Sequence, residues 1–454
     1  MSEEQVAQWL YGEVQAVLNG STRMGDMEKA LDQASREVRR KVLERLTQDT
    51  ANQQLLVCAT CQSALHVVEH RRPRTVATSF GKIGFVRSYG LCLACQEQLF
   101  PADLTLGLQP RAPASPRVQE ICALTTLRAP AGQAEEDVRR LTGLHLSAST
   151  LHSEALRQGE RALTLRDADE QRTQNATGLA ELAARSRPPP APFTLILEID
   201  AWNIRERDNW GKTKTLVKAG QELGRWHWVY TGTVFRLDQR GPTAAGRPVI
   251  AERGFVATRR GLDSFQRQLY AEALQRGLQA AQTVLILADG AVWIWNLAED
   301  RFPGAVQRVD LHHVQEHLWT LAHELHGQGT QAAQAWVRPF LQWLERRNDG
   351  ALDVINGLKQ LPATLKTLTR SQRKAIGREI SYFEGHKERM DYKAGKALGQ
   401  PVGSGAIEST CSQYQRRFKL TGQFWSLAGD EAFLALATLH RNGRWKQLFP
   451  HDTE

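Results

Sequence analysis

Two short apolar runs constrain this chain more than anything else in its 454 residues. TLILEIDA (Thr194–Ala201) and TVLILADG (Thr283–Gly290) are mostly aliphatic, and they carry the aspartates Asp200 and Asp289 at their ends. A short continuous apolar run bounded by polar residues predicts a strand buried on both faces of a sheet. Open α/β sheets place their ligands at the C-terminal ends of such strands. Two buried strands that each deliver a carboxylate there form the core of a candidate metal site. Either aspartate alone could instead cap the next helix or turn. The pair, together with the order of elements around it, favours the site.

That order is informative. After TLILEIDA, the stretches GRWHWVYTGTVFRLD and PVIAERGFVAT read as two further strands of a meander. DSFQRQLYAEALQRGLQAA reads as an amphipathic helix with Asp263 as its cap. The strand ending at Asp289 comes next, then a helix with Trp293 and Trp295, then a short strand in AVQRVDLHH. This is the order of a ribonuclease H-like α/β fold, whose first and fourth strands lie adjacent and parallel and would bring Asp200 and Asp289 together. From His313 to about Gly399 nearly everything reads helical. GQPVGSGAIESTCSQYQRRFKLTGQFWS is then a glycine turn and a helix carrying Glu408, followed by Arg416, Arg417 and Lys419. Asp200, Asp289 and Glu408 would complete a three-carboxylate site for Mg²⁺ or Mn²⁺, since hard cations take oxygen ligands and keep positions open for phosphate. Two such ions suit phosphoryl transfer. Glu198 lies two residues before Asp200, on the same strand face, and is its rival.

The N-terminal part has a different character. Residues 1–52 read as two helices, and in the second Met27, Leu31, Ala34, Val38, Val42 and Leu46 recur at helical spacing. That face would pack on its own domain or against a second copy of the chain. Residues 53–105 hold CATC (Cys58, Cys61) and CLAC (Cys92, Cys95) around a glycine-punctuated alternating segment that predicts a β-hairpin. Four thiolates so placed match a structural Zn²⁺ ribbon, with His66 and His70 as possible substitute ligands. Cys122 and Cys411 are isolated and expected to be buried. Residues 106–185 are helical, and AEEDVRRLTGLHLSASTLHSEALRQG reads either as a helix-turn-helix, broken at Gly143 with Ser147 near the second cap, or as a plain helical hairpin. SRPPPAP (Ser186–Pro192) is a semi-rigid spacer, which places a domain boundary near 190. Beyond it, 190–313 is the catalytic core, 314–400 an all-helical insertion and 401–454 the rest of the core with its basic helix.

The fold class is therefore multidomain α+β. Lys and Arg outnumber Asp and Glu by 58 to 49, a net charge of +9. From Lys366 to Lys446 there are 15 basic against 7 acidic residues, an excess of 8 that is most of the total. The excess implies an acidic partner, and nucleic acid is the commonest. Arg416, Arg417 and Lys419, interleaved with Tyr392, Tyr414, Phe418, Phe424 and Trp425, suit phosphate contacts and base stacking. No apolar run approaches a membrane span, no secretory signal is visible, and paired C-x-x-C motifs suit a reducing compartment, so the expected location is cytoplasmic.

The chain resembles bacterial insertion-sequence DDE transposases, most closely the ISKra type. The resemblance is carried by CATC…CLAC with PADLTLGL and SPRVQEICAL, by ADGAVWIWNLAEDRFPGAVQRVDLHHVQEHLW, and by GSGAIESTCSQYQRRFKLTGQFW. It covers roughly residues 55 to 430. It implies a ribonuclease H-like domain with a helical insertion before the last acid, and a catalytic triad on Asp200, Asp289 and Glu408. Asp310 and His313 resemble the Asp/Cys-x-x-His signature of Mutator-like and hAT-like transposases. The implied activity is metal-dependent cutting and joining of double-stranded DNA, at transposon ends and target, by a homodimer or higher oligomer. The knuckles lack the usual Pro and Gly neighbours, and EIDAWNIRERD around Asp200 is less typical of the family. Two other readings stay open: a transposase-derived DNA-binding protein without strand transfer, and a metal-dependent ribonuclease H-like nuclease.

Overall fold

The structure is a computed structural model that describes residues 3–18, 20–207, 213–220, 225–365 and 367–450. The chain divides into two compact units, Met1–Gln158 and Gly159–Pro450.

The first unit opens with α1 (Glu3–Leu18) and α2 (Met24–Asn52). A hairpin of β1 (His66–Thr78) and β2 (Gly81–Leu91) follows, edged by the short β3 (Gln98–Leu99). The polar face of α2 docks on the hairpin and protects its open edge. The Glu44 carboxylate accepts the Gly84 N–H (2.8 Å), and the Gln48 amide accepts from Val86 N–H and donates to Val86 C=O. These side chains imitate a neighbouring strand, one way of blunting a sheet edge. The consequence overturns one sequence expectation. Because α2 turns its hydrogen-bonding side inward, Leu31, Val42 and Leu46 stay 47%, 53% and 58% exposed and do not pack on their own domain.

The helices α3 (Pro101–Thr105), α4 (Pro116–Arg128), α5 (Ala131–Thr142) and α6 (Ala148–Arg172) complete this part. Gly143 ends α5 with φ 67°, the left-handed conformation that glycine adopts without a Cβ clash. Val118, Cys122, Val138 and Leu151 close a small core between α4, α5 and α6. The division between the units falls inside α6, not at the proline-rich crossing near 190. The second half of α6 and the following α7 (Ala176–Ala184) belong to the larger unit: Glu170 accepts from Ser264 and Gln268, and Leu182 packs on Ala271 and Leu274.

The larger unit is built on β4 (Thr194–Glu206). After α8 (Thr213–Lys218) come β5 (Arg225–Arg236), a small hairpin of β6 (Arg240–Pro242) and β7 (Pro248–Ile250), and β8 (Gly254–Thr258). Then follow α9 (Leu262–Gln275), β9 (Thr283–Ala288), α10 (Val292–Arg301) and β10 (Val306–Val309). The five-stranded sheet has the order β10-β9-β4-β5-β8, with β10, β9 and β4 parallel and β5 antiparallel to both its neighbours. The first and fourth strands are thus adjacent and parallel, as the element order requires. The cap of α9 is Gly261, not Asp263: the chain leaves β8 through Gly261 at φ 91°, so Asp263 falls inside the first turn.

Five further helices follow: α11 (Leu311–His326), α12 (Gln331–Arg346), α13 (Gly350–Thr364), α14 (Arg370–His386) and α15 (Tyr392–Ala397). They do not form a separate core. Leu318, Val337, Val354 and Phe383 share one apolar cluster with Leu197, Ile199 and Ile286 of the sheet. The opposite sheet face is covered by α16 (Gly405–Phe418) and α17 (Leu427–Arg441), with Ile196, Phe235 and Leu285 beneath Ala406.

Candidate active site and cysteine cluster

Register places the two aspartates. The paired residues of β4 and β9 end at Ile199 opposite Ala288, and these face the large core. The next position on each strand points to the other face, towards α16, and there Asp200 and Asp289 stand side by side. Burial pushes the Asp200 carboxyl up. The Ala201 N–H (2.6 Å) opposes this, the Asp289 charge adds to it, and the Cys411 thiol and His313 lower it again. Asp289 accepts the Ala291 N–H (3.0 Å), which folds the turn into α10 through Gly290 at φ 102°.

Glu408 is exposed in the first turn of α16, one turn before the Cys411 that touches Asp200. Among the described residues none of the three acids forms an ion pair, and His313 is the one side chain whose charge lowers the Asp200 carboxyl. Nor do their oxygens lie within 4.8 Å of one another, so among the described residues the three acids do not converge as the four cysteines do.

Glu198 has another role. It is 1% exposed, and its Oε2 accepts the Ile407 N–H (2.8 Å) with help from Ala406, at the N-terminus of α16. Burial pushes it up to about 8. Asp310 is also fully buried. Its Oδ1 accepts the His313 N–H (3.0 Å) as the cap of α11, and its Oδ2 accepts the Ser404 N–H, so it ties α11 to the approach of α16. His313 is half-buried and near enough to Asp200 to lower its carboxyl when the imidazole is protonated.

A group that sequence reasoning misses comes from α14. A Cβ on Gly290 would sit 3.5 Å from the Tyr382 hydroxyl and 3.7 Å from His386 Nε2. Tyr382 stacks on His317 (centroids 3.7 Å apart), and His317 Nδ1 lies 2.7 Å from Glu379. Only the long-range packing of α14 brings this group to Asp289, so no local signal announces it.

Of the basic-aromatic set, Arg416 and Lys419 are exposed, but Arg417 and Trp425 are not. The Arg417 guanidinium lies 5.1 Å from the Trp425 ring, and Trp425 Nε1 donates to the Phe418 carbonyl. Tyr392, Tyr414 and Phe418 are likewise core residues. Tyr414, Phe418 and Trp425 pack together behind α16, and Tyr392 belongs to the large core on the other sheet face.

In the first unit the four cysteines converge. Cys58 Sγ lies 3.5 Å from Cys95 Sγ, and Cys61 Sγ lies 3.3 Å from Cys92 and 3.7 Å from Cys95. A sulfur tetrahedron around Zn²⁺ at about 2.3 Å has edges of about 3.8 Å, so the cluster can hold that ion. Both knuckles share one backbone form: the Cys58 and Cys92 carbonyls accept from Gln62 and Gln96 N–H, and both glutamines are left-handed at φ 60° and 62°. Neither His66 nor His70 belongs to the cluster.

Among the described residues no helix is long and apolar enough to cross a membrane. No protein-family model matches the chain, and no curated protein does. Among solved structures, a chain of the Drosophila P element transposase strand transfer complex is similar. Identity is 13%, coverage is 77% of this chain and 83% of that one, and the TM-score is 0.23. A superposition that loose decides neither fold nor activity.

Proposed function

We propose that this chain is a DDE transposase of the insertion-sequence kind, with a ribonuclease H-like catalytic domain that cuts and joins double-stranded DNA. One observation carries the reading. Asp200 and Asp289 end adjacent parallel strands, without an ion pair among the described residues, and the helix that bears Glu408 packs on β4 with Cys411 against Asp200. The sequence resemblance to ISKra-type transposases points the same way. The donor set is all oxygen and anionic, which fits Mg²⁺ or Mn²⁺.

When bound, such ions activate an attacking oxygen and stabilise the leaving one in phosphodiester transfer. The chain's own residues prepare that site. Glu198 and Asp310 fix the start of α16, which sets where Glu408 stands. The zinc ribbon and the exposed start of α6 (Ser149, Thr150, His152, Ser153) would bind transposon ends, with the protein acting as a homodimer or higher oligomer on DNA.

The test is strand transfer with end-bearing DNA and Mg²⁺, using Asp289→Asn and Glu408→Gln. Both should bind DNA normally, melt at the wild-type temperature or above because a repulsive charge is gone, and lose strand transfer by orders of magnitude. Ca²⁺ should support binding with little reaction. Either variant keeping near-normal strand transfer sinks its residue's role. Binding without chemistry in the wild type would favour a transposase-derived DNA-binding protein, and cleavage without joining a nuclease.

A further inference from the structure

The strand that carries Asp200 does not stop where its neighbour does. β9 ends at Ala288, but β4 runs on to Glu206, paired with β5 back to Arg225. Residues 202–206 and 225–229 therefore form a two-stranded arm extending past the acid end of the sheet. Its two faces differ sharply. On one, Trp202 and Ile204 are buried, and Glu206 is held by Arg259 at 2.6 Å. On the other, cross-strand pairing puts Asn203 with Trp228 and Arg205 with Trp226, and the two indoles are 55% and 57% exposed.

The surroundings of these indoles are cationic. The Arg205 guanidinium lies 5.4 Å from the Trp226 ring and 4.5 Å from Phe424, and Lys419 Nζ lies 5.7 Å from Trp226. The segment carrying Lys419 and Phe424 is fastened to the arm by Trp425, whose N–H donates to the Arg205 carbonyl and whose carbonyl accepts the Arg207 N–H.

We propose that this face of the arm is a stacking site for unpaired nucleobases of a DNA strand passing the acid end. A flat π surface flanked by cations matches a base and its phosphates. Residues two apart on a strand stand about 6.6 Å from each other, twice the roughly 3.4 Å spacing along a nucleic-acid strand, so one base fits between the indoles. A duplex offers its groove edges and backbone, not its base faces, so the site selects unpaired or extruded bases. An apolar peptide would not explain the two cations, Arg205 and Lys419, at this face. The source of the unpaired strand rests on the proposed cutting activity; the stacking does not.

The experiment uses the full chain without divalent cation and two probes of equal length: a single-stranded oligonucleotide carrying 2-aminopurine and a blunt duplex. Replacing Trp226 and Trp228 together by Ala should weaken single-strand binding about ten- to a hundredfold and abolish the fluorescence change of the stacked base. Duplex affinity should move less than about twofold. The Phe pair should restore most of the loss, because a ring remains. Single-strand binding unchanged by the Ala pair, or single-strand and duplex binding lost equally, would overturn the proposal. A wild-type chain that stacks the probe but never joins strands in Mg²⁺ would sink the catalytic reading alone.

Discussion

At the scale of the residue, the most instructive pair is Glu198 and Asp200. They share a strand face, and sequence alone offers no way to choose between them. The structure separates their environments: Glu198 is spent on the N–H groups of α16, and Asp200 stands against Asp289. A measurable consequence attaches to Glu198. Its ordinary value is 4.5, and burial raises it to about 8 in the folded chain. Between those two pH values the unfolded chain has lost the proton that the folded chain keeps. Folding stability from this group therefore falls as pH rises through that window and levels off above it. Glu198→Gln keeps an acceptor for the Ile407 N–H and cannot ionise, so its melting temperature should decline less than the wild type's from pH 5 to about 8. Parallel melting curves would show that Glu198 is ionised throughout. Tyr382 and His386 teach the complementary lesson: residues more than ninety positions from Asp289 carry no local mark of their place beside it.

At the scale of the element, legibility follows period. β9 and the start of β4 are readable because continuous burial leaves a continuous apolar run. The rest of β4 is not, because beyond Asp200 it alternates, with Trp202, Ile204 and Glu206 inward and Asn203 and Arg205 outward. An apolar run that ends at Ala201 hides the arm. WHW in β5 does hold the clue, since period 2 puts both indoles on one face. The face of α2 misleads in the opposite sense, because the helix docks through Leu43 and Ala51 on the hairpin core and Glu44 and Gln48 on its edge, a side other than that of Leu31, Val42 and Leu46. The cysteine knuckles are legible from spacing alone, and the element they organise can be tested. Structural zinc contributes on the order of 10 kcal/mol to folding, comparable with the whole stability of a small domain. Purified protein should carry near-stoichiometric zinc. Chelation, or Cys58→Ser or Cys92→Ser, should release it and make residues 53–105 protease-sensitive. A ribbon that stays protease-resistant without metal would mean that the four thiols pack without it.

At the scale of the whole molecule, the question is where the net charge of +9 acts. Most of the excess lies between Lys366 and Lys446, but a count treats every cation alike and the structure does not. Arg417 is 9% exposed among Trp425 and Phe433, and burial lowers it to about 10. Its cost of desolvation is met inside the fold, so it serves α16 before it serves any ligand. Arg416 and Lys419 stand in solvent on the same stretch, where a phosphate can displace their counterions. The two groups should separate in one titration of duplex affinity against salt. Each phosphate contact contributes about 0.9 to the log–log slope, so replacing Arg416 and Lys419 by Ala should flatten it by about 1.8, with the melting temperature unchanged. Arg417→Ala should do the reverse, lowering the melting temperature through lost packing and leaving the slope near its wild-type value. If the slope instead responds to Arg417 alone, α16 must turn on binding DNA, and the burial of Arg417 belongs to the free protein only.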